Sequence, residues 1–192
     1  MRFFETVTDL EAGAELLRRR AYGVIEMLDG RFRRVRLRPF PKIISVAEIF
    51  LLGGRFHRRG RGDRFWLYYN QPRRYPNFLV LKYVLSTQEA SFGSLARALD
   101  VLDYIARLKQ IDTLLCDANN WRINTKMFER WGWVPHCPSR WHRHYIKRFY
   151  GVYPPPAKWI NETVMEDQPI LSRPSPPAPL PKGEGSDLQS CR

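Results

Sequence analysis

The run Gln88-Glu89-Ala90-Ser91-Phe92-Gly93 lies between an apolar, strand-like stretch, Phe78 to Ser86, and a strongly periodic stretch that ends at Lys109. A strand, a short glycine-bearing turn and a helix N-terminus together make an anion site. The first helical turn leaves backbone N–H groups without intrahelical partners and carries the positive end of the macrodipole, so a phosphate placed there is held by the backbone. A phosphorylated ligand is the chemistry this spacing predicts; the alternative is a plain turn in which Gly93 precedes Ser94 as a helix N-cap. A second group of reactive types gathers His136, Cys137, His142 and His144. Histidines two apart on a strand face the same way, and imidazole with thiolate suits zinc. The spacing Cys137-x4-His142-x-His144 is not a standard ligand spacing, Pro138 interrupts it, and no carboxylate lies near in sequence to orient an imidazole. Polar strand histidines, and no metal, are therefore expected.

Downstream of the periodic stretch, Ile111 to Cys116 reads as a short buried strand, followed by Asp117-Ala118-Asn119-Asn120 and a short helix from Arg122 to about Arg130. Gly132 supplies the left-handed conformation that ends the helix, and Trp133-Val134 restarts an extended run. On these residues the chain resembles the GNAT superfamily of acyl-CoA N-acyltransferases. Gln88-x-x-Ser91-x-Gly93 is similar to that family's Gln/Arg-x-x-Gly-x-Gly/Ala pyrophosphate loop, with Ser91 where the first glycine is preferred. Asn120 through Phe128-Glu129-Arg130-Trp131-Gly132-Trp133 is similar to its Asn, short helix, Tyr-Glu-Lys-Leu-Gly-Phe signature. The resemblance is strongest over residues 78–150.

The resemblance implies an α/β fold, a mixed sheet flanked by helices, that binds acetyl-CoA or another acyl-CoA and passes the acyl group to an amine acceptor. It implies coenzyme contacts at Leu85, Ser86, Thr87, Gln88, Ser91, Phe92, Gly93, Ser94 and Asn120, with a backbone N–H of Leu85 to Thr87 facing the oxyanion. Phe128 stands where the family often has the tyrosine that protonates the departing thiolate, and phenylalanine cannot donate a proton. His142 or His144 is the candidate base, and Tyr145 or Tyr150 the candidate acid. Glu89 beside the loop would oppose a pyrophosphate if it faced inward. The alternative is a non-catalytic relative that binds nucleic acid or an acidic partner through its Arg-rich surface.

Those residues need elements to position them. Thr8-Asp9-Leu10-Glu11 reads as a capping box, and Leu10, Ala14, Leu17, Ala21, Val24 and Leu28 recur near helical spacing, which predicts an N-terminal helix. Ser94 to Lys109 predicts a second helix, burying Leu95, Leu99, Leu102, Ile105 and Ala106. Arg64 to Asn70 is rich in strand-favouring aromatics, ends in a turn signal, and is expected to pair with Phe78 to Ser86. In Arg31 to Arg38, simple alternation sets Arg31, Arg33, Val35 and Leu37 against Phe32, Arg34, Arg36 and Arg38. The apolar segment Pro41 to Leu52 fits helix or strand.

A chain of 192 residues, 44% hydrophobic and 14% aromatic, suits one domain with a tail. That domain is expected over residues 1–153, and the Pro-rich stretch 154–192 reads as a disordered or polyproline-like tail. Of the formal charge of +13, most falls between Arg31 and Pro76, where 13 basic residues face 2 acidic ones. Such a field suits nucleic acid, an acidic substrate or a solvated face. Cys116, Cys137 and Cys191 form no disulfide pattern and read as free thiols. With no run approaching the ~18 apolar residues of a membrane span, and no secretory order at the N-terminus, a cytoplasmic protein is expected.

Overall fold

The computed structural model describes residues 4–41, 62–117, 125–136 and 143–160. In chain order the elements are β1 (Glu5–Val7), α1 (Ala14–Arg19), β2 (Tyr22–Leu28), β3 (Arg31–Arg38), β4 (Arg64–Asn70), β5 (Phe78–Ser86), α2 (Phe92–Leu108), β6 (Thr113–Asp117), α3 (Thr125–Arg130), β7 (Val134–His136) and β8 (His144–Arg148). The strands form one eight-stranded sheet in the order β1-β3-β2-β4-β5-β6-β8-β7. Neighbours are antiparallel except β5 and β6, which run parallel and are joined through α2, the crossover a parallel pair requires. This is the helix-flanked mixed sheet of the α/β class that the sequence predicts.

One face of the sheet is the core. Ile25, Met27, Val35, Leu37, Leu67, Tyr69, Leu79, Leu114, Cys116 and Tyr145 project from it toward α1, α2 and α3. Against them α2 sets the stripe Leu95, Ala98, Leu99, Leu102, Ile105 and Ala106, all buried. Leu17 of α1 and Phe128 of α3 complete the layer.

The N-terminal helix is shorter than its apolar spacing predicts. α1 covers only Ala14–Arg19, and its N-cap Gly13 makes no side-chain cap. Asp9, not Thr8, accepts from backbone N–H groups, those of Glu11 and Ala12 at 2.8 and 3.0 Å, and so closes a turn rather than a capping box. Val24 and Leu28 belong to β2, which has ladder partners on both sides, β3 and β4. The hairpin that makes this possible turns at Asp29 (φ 50) and Gly30 (φ 74), the paired positive angles of a tight two-residue turn.

Simple alternation also fails within β3. A register shift at Glu26/Met27 leaves Arg33 without a partner and pairs Phe32 with Met27. Phe32 therefore packs on the core, while Arg34, Arg36 and Arg38 lie on the other face.

The polypeptide past Tyr153 packs where a disordered tail is expected. Trp159 Nε1 donates to Asp100 Oδ2 at 3.1 Å, the Arg97 guanidinium lies 5.7 Å over the Trp159 ring, and Ile160 is 2% exposed. Pro154 to Ile160 thus belong with the domain; residues 161–192 lie outside the described set, as do residues 42–61, which hold most of the ambiguous segment and Arg55 to Arg61. No described helix is long and apolar enough to cross a membrane.

Candidate active site

The pairing of β5 with β6 is short. It runs from Phe78↔Thr113 to Leu81↔Cys116 and stops, although β5 continues to Ser86. Among the described residues Lys82 to Ser86 run on past the ladder to β6, and with Asp117 they flank an opening in the sheet. A bulge at the same level, where Tyr68 pairs with Tyr83 and Tyr69 with Leu81, leaves Lys82 as the extra residue of β5.

Beyond the opening the chain enters α2, whose N-cap is Ser91 and not Ser94: Ser91 Oγ accepts the Ser94 N–H at 3.1 Å. The two hydroxyls already hold an anion of the protein's own. Ser91 and Ser94 donate to Asp63 Oδ2 at 2.6 and 2.5 Å. Glu89 does not point into the loop; its Oε2 accepts from the Gly62 N–H at 2.7 Å. Among the described residues no acceptor meets the N–H groups of Phe92 and Gly93, both exposed. Gly93 has no positive φ, and a Cβ built on it would meet only Ser91 Oγ, at 3.7 Å. Among the described residues no atom demands glycine there, so its smallness keeps the approach to those two N–H groups open.

The oxyanion donors predicted at Leu85 to Thr87 are sorted by the ladder. Thr87 N–H donates to Arg64 O, and Thr87 Oγ1 donates to Gly62 O and accepts from Arg64 N–H. Thr87 is 1% exposed and fastens β4 rather than facing a ligand. Because N–H directions alternate along an antiparallel strand, Leu85 turns toward β4 with Thr87, while Val84 and Ser86 turn toward the opening. Gln88 is exposed ahead of the helix, and Asn120 lies outside the described residues.

On the far side of the opening, the register Asp117↔His144↔His136 runs across β6, β8 and β7. Directly paired residues share a face, so the three side chains project together, away from the helices. His144 Nδ1 lies 4.0 Å from Asp117 Oδ1, with both side chains about two-fifths exposed (43% and 41%). Asp117 had no place in the sequence expectation, and the signal that could have found it is its position at the C-terminal end of a parallel strand, where α/β sheets bind ligands. His142 and Cys137 lie outside the described residues, within which no three His, Cys, Asp or Glu side chains converge as metal ligands would.

Tyr145 points the opposite way from His144. It is 2% exposed, its ring stacks on Phe128 at 4.3 Å, and its Oη lies 3.0 Å from Thr125 Oγ1. A proton donor enclosed in that stack does not reach a ligand in the opening, which corrects its expected role as acid. Phe128, also buried, meets Trp131 and Trp133 edge-on. Tyr150 is 80% exposed in the turn after β8.

Two further features lie away from the opening. A groove of about 430 Å³ between α2, α3 and β8 contains none of the expected site residues. In it burial pushes the Asp103 carboxyl up to about 6, against the lowering effect of Lys147, whose Nζ donates to it at 2.6 Å. The arginines of β3 are partly committed inside the protein. Arg34 Nε donates to Glu26 Oε2 at 2.8 Å, the Arg36 guanidinium contacts Glu26 Oε1 and lies over Trp66, and Glu26 is 2% exposed. These two guanidiniums of the basic stretch are thus paired within the protein.

No protein-family model matches the chain, and no curated protein matches it. Solved structures similar in shape include a GNAT-family acetyltransferase from Staphylococcus aureus Mu50, at 15% identity and a TM-score of 0.35 over 56% of this chain and 81% of that one. An acetyltransferase from Streptococcus agalactiae 2603 is similar at 18% identity and a TM-score of 0.35, over 55% and 79% of the two chains. Nourseothricin acetyltransferase is similar at 10% identity and a TM-score of 0.38, over 76% and 98%. Likeness this partial carries no argument about chemistry, which rests on the residues at the opening.

Proposed function

We propose that the protein is an acyl-CoA-dependent N-acyltransferase of GNAT type, with an amine as acceptor. The observation that carries this reading is the opening between β5 and β6, set directly before the N-terminus of a long helix. Acetyl-CoA is the donor favoured. Its phosphates are held by the Phe92 and Gly93 N–H groups and its thioester lies along the edge of Lys82 to Ser86, where the Val84 N–H is placed to stabilise an oxyanion. The Asp63 carboxylate, already seated on Ser91 and Ser94, works against phosphate binding and predicts modest affinity.

On the opposite face His144 takes one proton from the acceptor's ammonium, with Asp117 Oδ1 4.0 Å from its Nδ1. The free amine attacks the thioester carbonyl and forms the C–N bond. Collapse of the tetrahedral adduct breaks the C–S bond, and the second amine proton goes to the leaving thiolate, so no dedicated acid is needed where Phe128 stands.

Isothermal titration of acetyl-CoA into the full chain tests this, with Gly93→Trp as control. The expected result is micromolar binding that Gly93→Trp abolishes; no binding at millimolar coenzyme would overturn the reading.

A further inference from the structure

The face of the sheet away from the helices carries a group that acyl transfer leaves unused. Four arginines of β3 lie on it by register, Arg31, Arg34, Arg36 and Arg38, and one buried carboxylate, Glu26, answers Arg34 and Arg36. Arg38 is different. Its guanidinium lies 6.0 Å over the Tyr68 ring, and its Nη1 is buried with no acceptor among the described residues. A buried donor of a charged group left without an acceptor costs free energy that an anion restores.

Registers fix where that anion would sit. Arg36, Val24, Tyr68 and Tyr83 form one row across β3, β2, β4 and β5, and Arg38, Tyr22, Asn70 and Val80 the next. Both rows project from the same face as Asp117 and His144. Strands lie ~4.8 Å apart, so the Arg38 guanidinium over β4 stands about 14 Å from β8, which carries His144, and a hydrogen bond of ~3 Å at each end leaves about 8 Å between. Tyr68 and Tyr83, 6.0 Å apart between ring centroids, form the floor between them.

We infer that Arg38 is an acceptor-specificity residue, and that the acceptor is an amine bearing a carboxylate about 8 Å away across a flat apolar body. Arg38 takes the carboxylate through its planar fork, the tyrosine pair carries the body, and the amine reaches His144. The amine half of this inference rests on the acyltransferase reading; the anion half rests on Arg38 alone.

The test is titration of para-(aminoethyl)benzoate and of its methyl ester into the full chain without coenzyme, in wild type, Arg38→Gln and Arg38→Lys. The expected result is an acid bound about tenfold more tightly than the ester, a preference lost in Arg38→Gln and reduced severalfold in Arg38→Lys. Equal binding of the two probes, binding of neither, or a preference unchanged in Arg38→Lys overturns the inference. The lysine variant keeps the charge, so it decides the matter even if Arg38→Gln does not fold. Turnover with acetyl-CoA is measured on the same probes: turnover without acid preference removes the Arg38 subsite and leaves acyl transfer standing, whereas Arg38-dependent binding without turnover does the reverse.

Discussion

From β1 to β5 the sheet is a continuous antiparallel run, whereas from β5 to β6 it is held by a parallel ladder that stops at Leu81↔Cys116. The closed half is built for stability: β2 is buried along almost its whole length and paired on both sides. The open half gives up pairing, and the residues able to do chemistry stand at the gap so made. Sheet hydrogen bonds that β5 does not make to β6 become directions from which a ligand can be held.

The two halves should fail differently under mutation. Phe128 is the hub of the open half, stacked on Tyr145 and edge-on to two tryptophans. Phe128→Ala is expected to cost about 3–5 kcal/mol by chemical denaturation. If the open half is a separate cooperative unit, hydrogen exchange will show β7 and β8 losing protection before β2 does.

Gly23→Ala strikes the closed half. Gly23 pairs with Tyr69, and a Cβ there would stand 2.5 Å from the Tyr69 hydroxyl and 2.6 Å from its ring carbon. Tyr69 is fully buried and has nowhere to go, so overpacking is expected to cost about 3 kcal/mol. The loss should appear in all strands together, and a loss confined to β7 and β8 would contradict the comparison.

These regions were unequally legible in the sequence. The strand–turn–helix from Phe78 to Lys109 could be read because its local signals agree: an apolar strand, a glycine-bearing turn, a serine cap and a helical stripe. The opening could not, because it is a missing set of pairings between segments about thirty residues apart, and no local pattern encodes where a ladder stops. Asp63 on Ser91 and Ser94 is likewise a contact across the fold. The shortened α1 is a different kind of miss, since Asp29-Gly30 is a strong hairpin signal and marked the β2–β3 turn in plain sight. Apolar spacing alone favoured a helix there, and two ladders outweighed it. The bulge at Arg33 hid in the same way, for alternation assumes an unbroken register.

Tyr69 also offers a gentler probe of the closed half. Its hydroxyl is buried with no partner among the described residues, and burial raises its pKa far above the ordinary phenol value. Removing a buried polar group that lacks a partner relieves a desolvation cost. Tyr69→Phe is therefore expected to raise stability by about 1 kcal/mol, and a loss of similar size would mean that the hydroxyl finds a partner in solution.

The smallest effect concerns Lys109, which ties the closed half to the end of α2. Its Nζ donates to Arg18 O and to Gln71 Oε1, both at 3.0 Å, and burial pushes its pKa down from 10.5 to about 8. The folded state thus binds this proton more weakly than the unfolded chain does. Its favourable contribution is fully present above pH 10.5 and is lost as pH falls through about 8, so from this group stability rises with pH across that window. Because the ammonium keeps part of its contact with water, the change should be less than about 1 kcal/mol. Denaturation midpoints of wild type and Lys109→Met between pH 7.5 and 10.5 isolate it: the wild type should gain on the variant as pH rises. A constant difference would mean that Nζ stays hydrated in the folded protein, and that α2 is fastened to the closed half by its apolar stripe and its other polar contacts, such as Ser94 to Asp63.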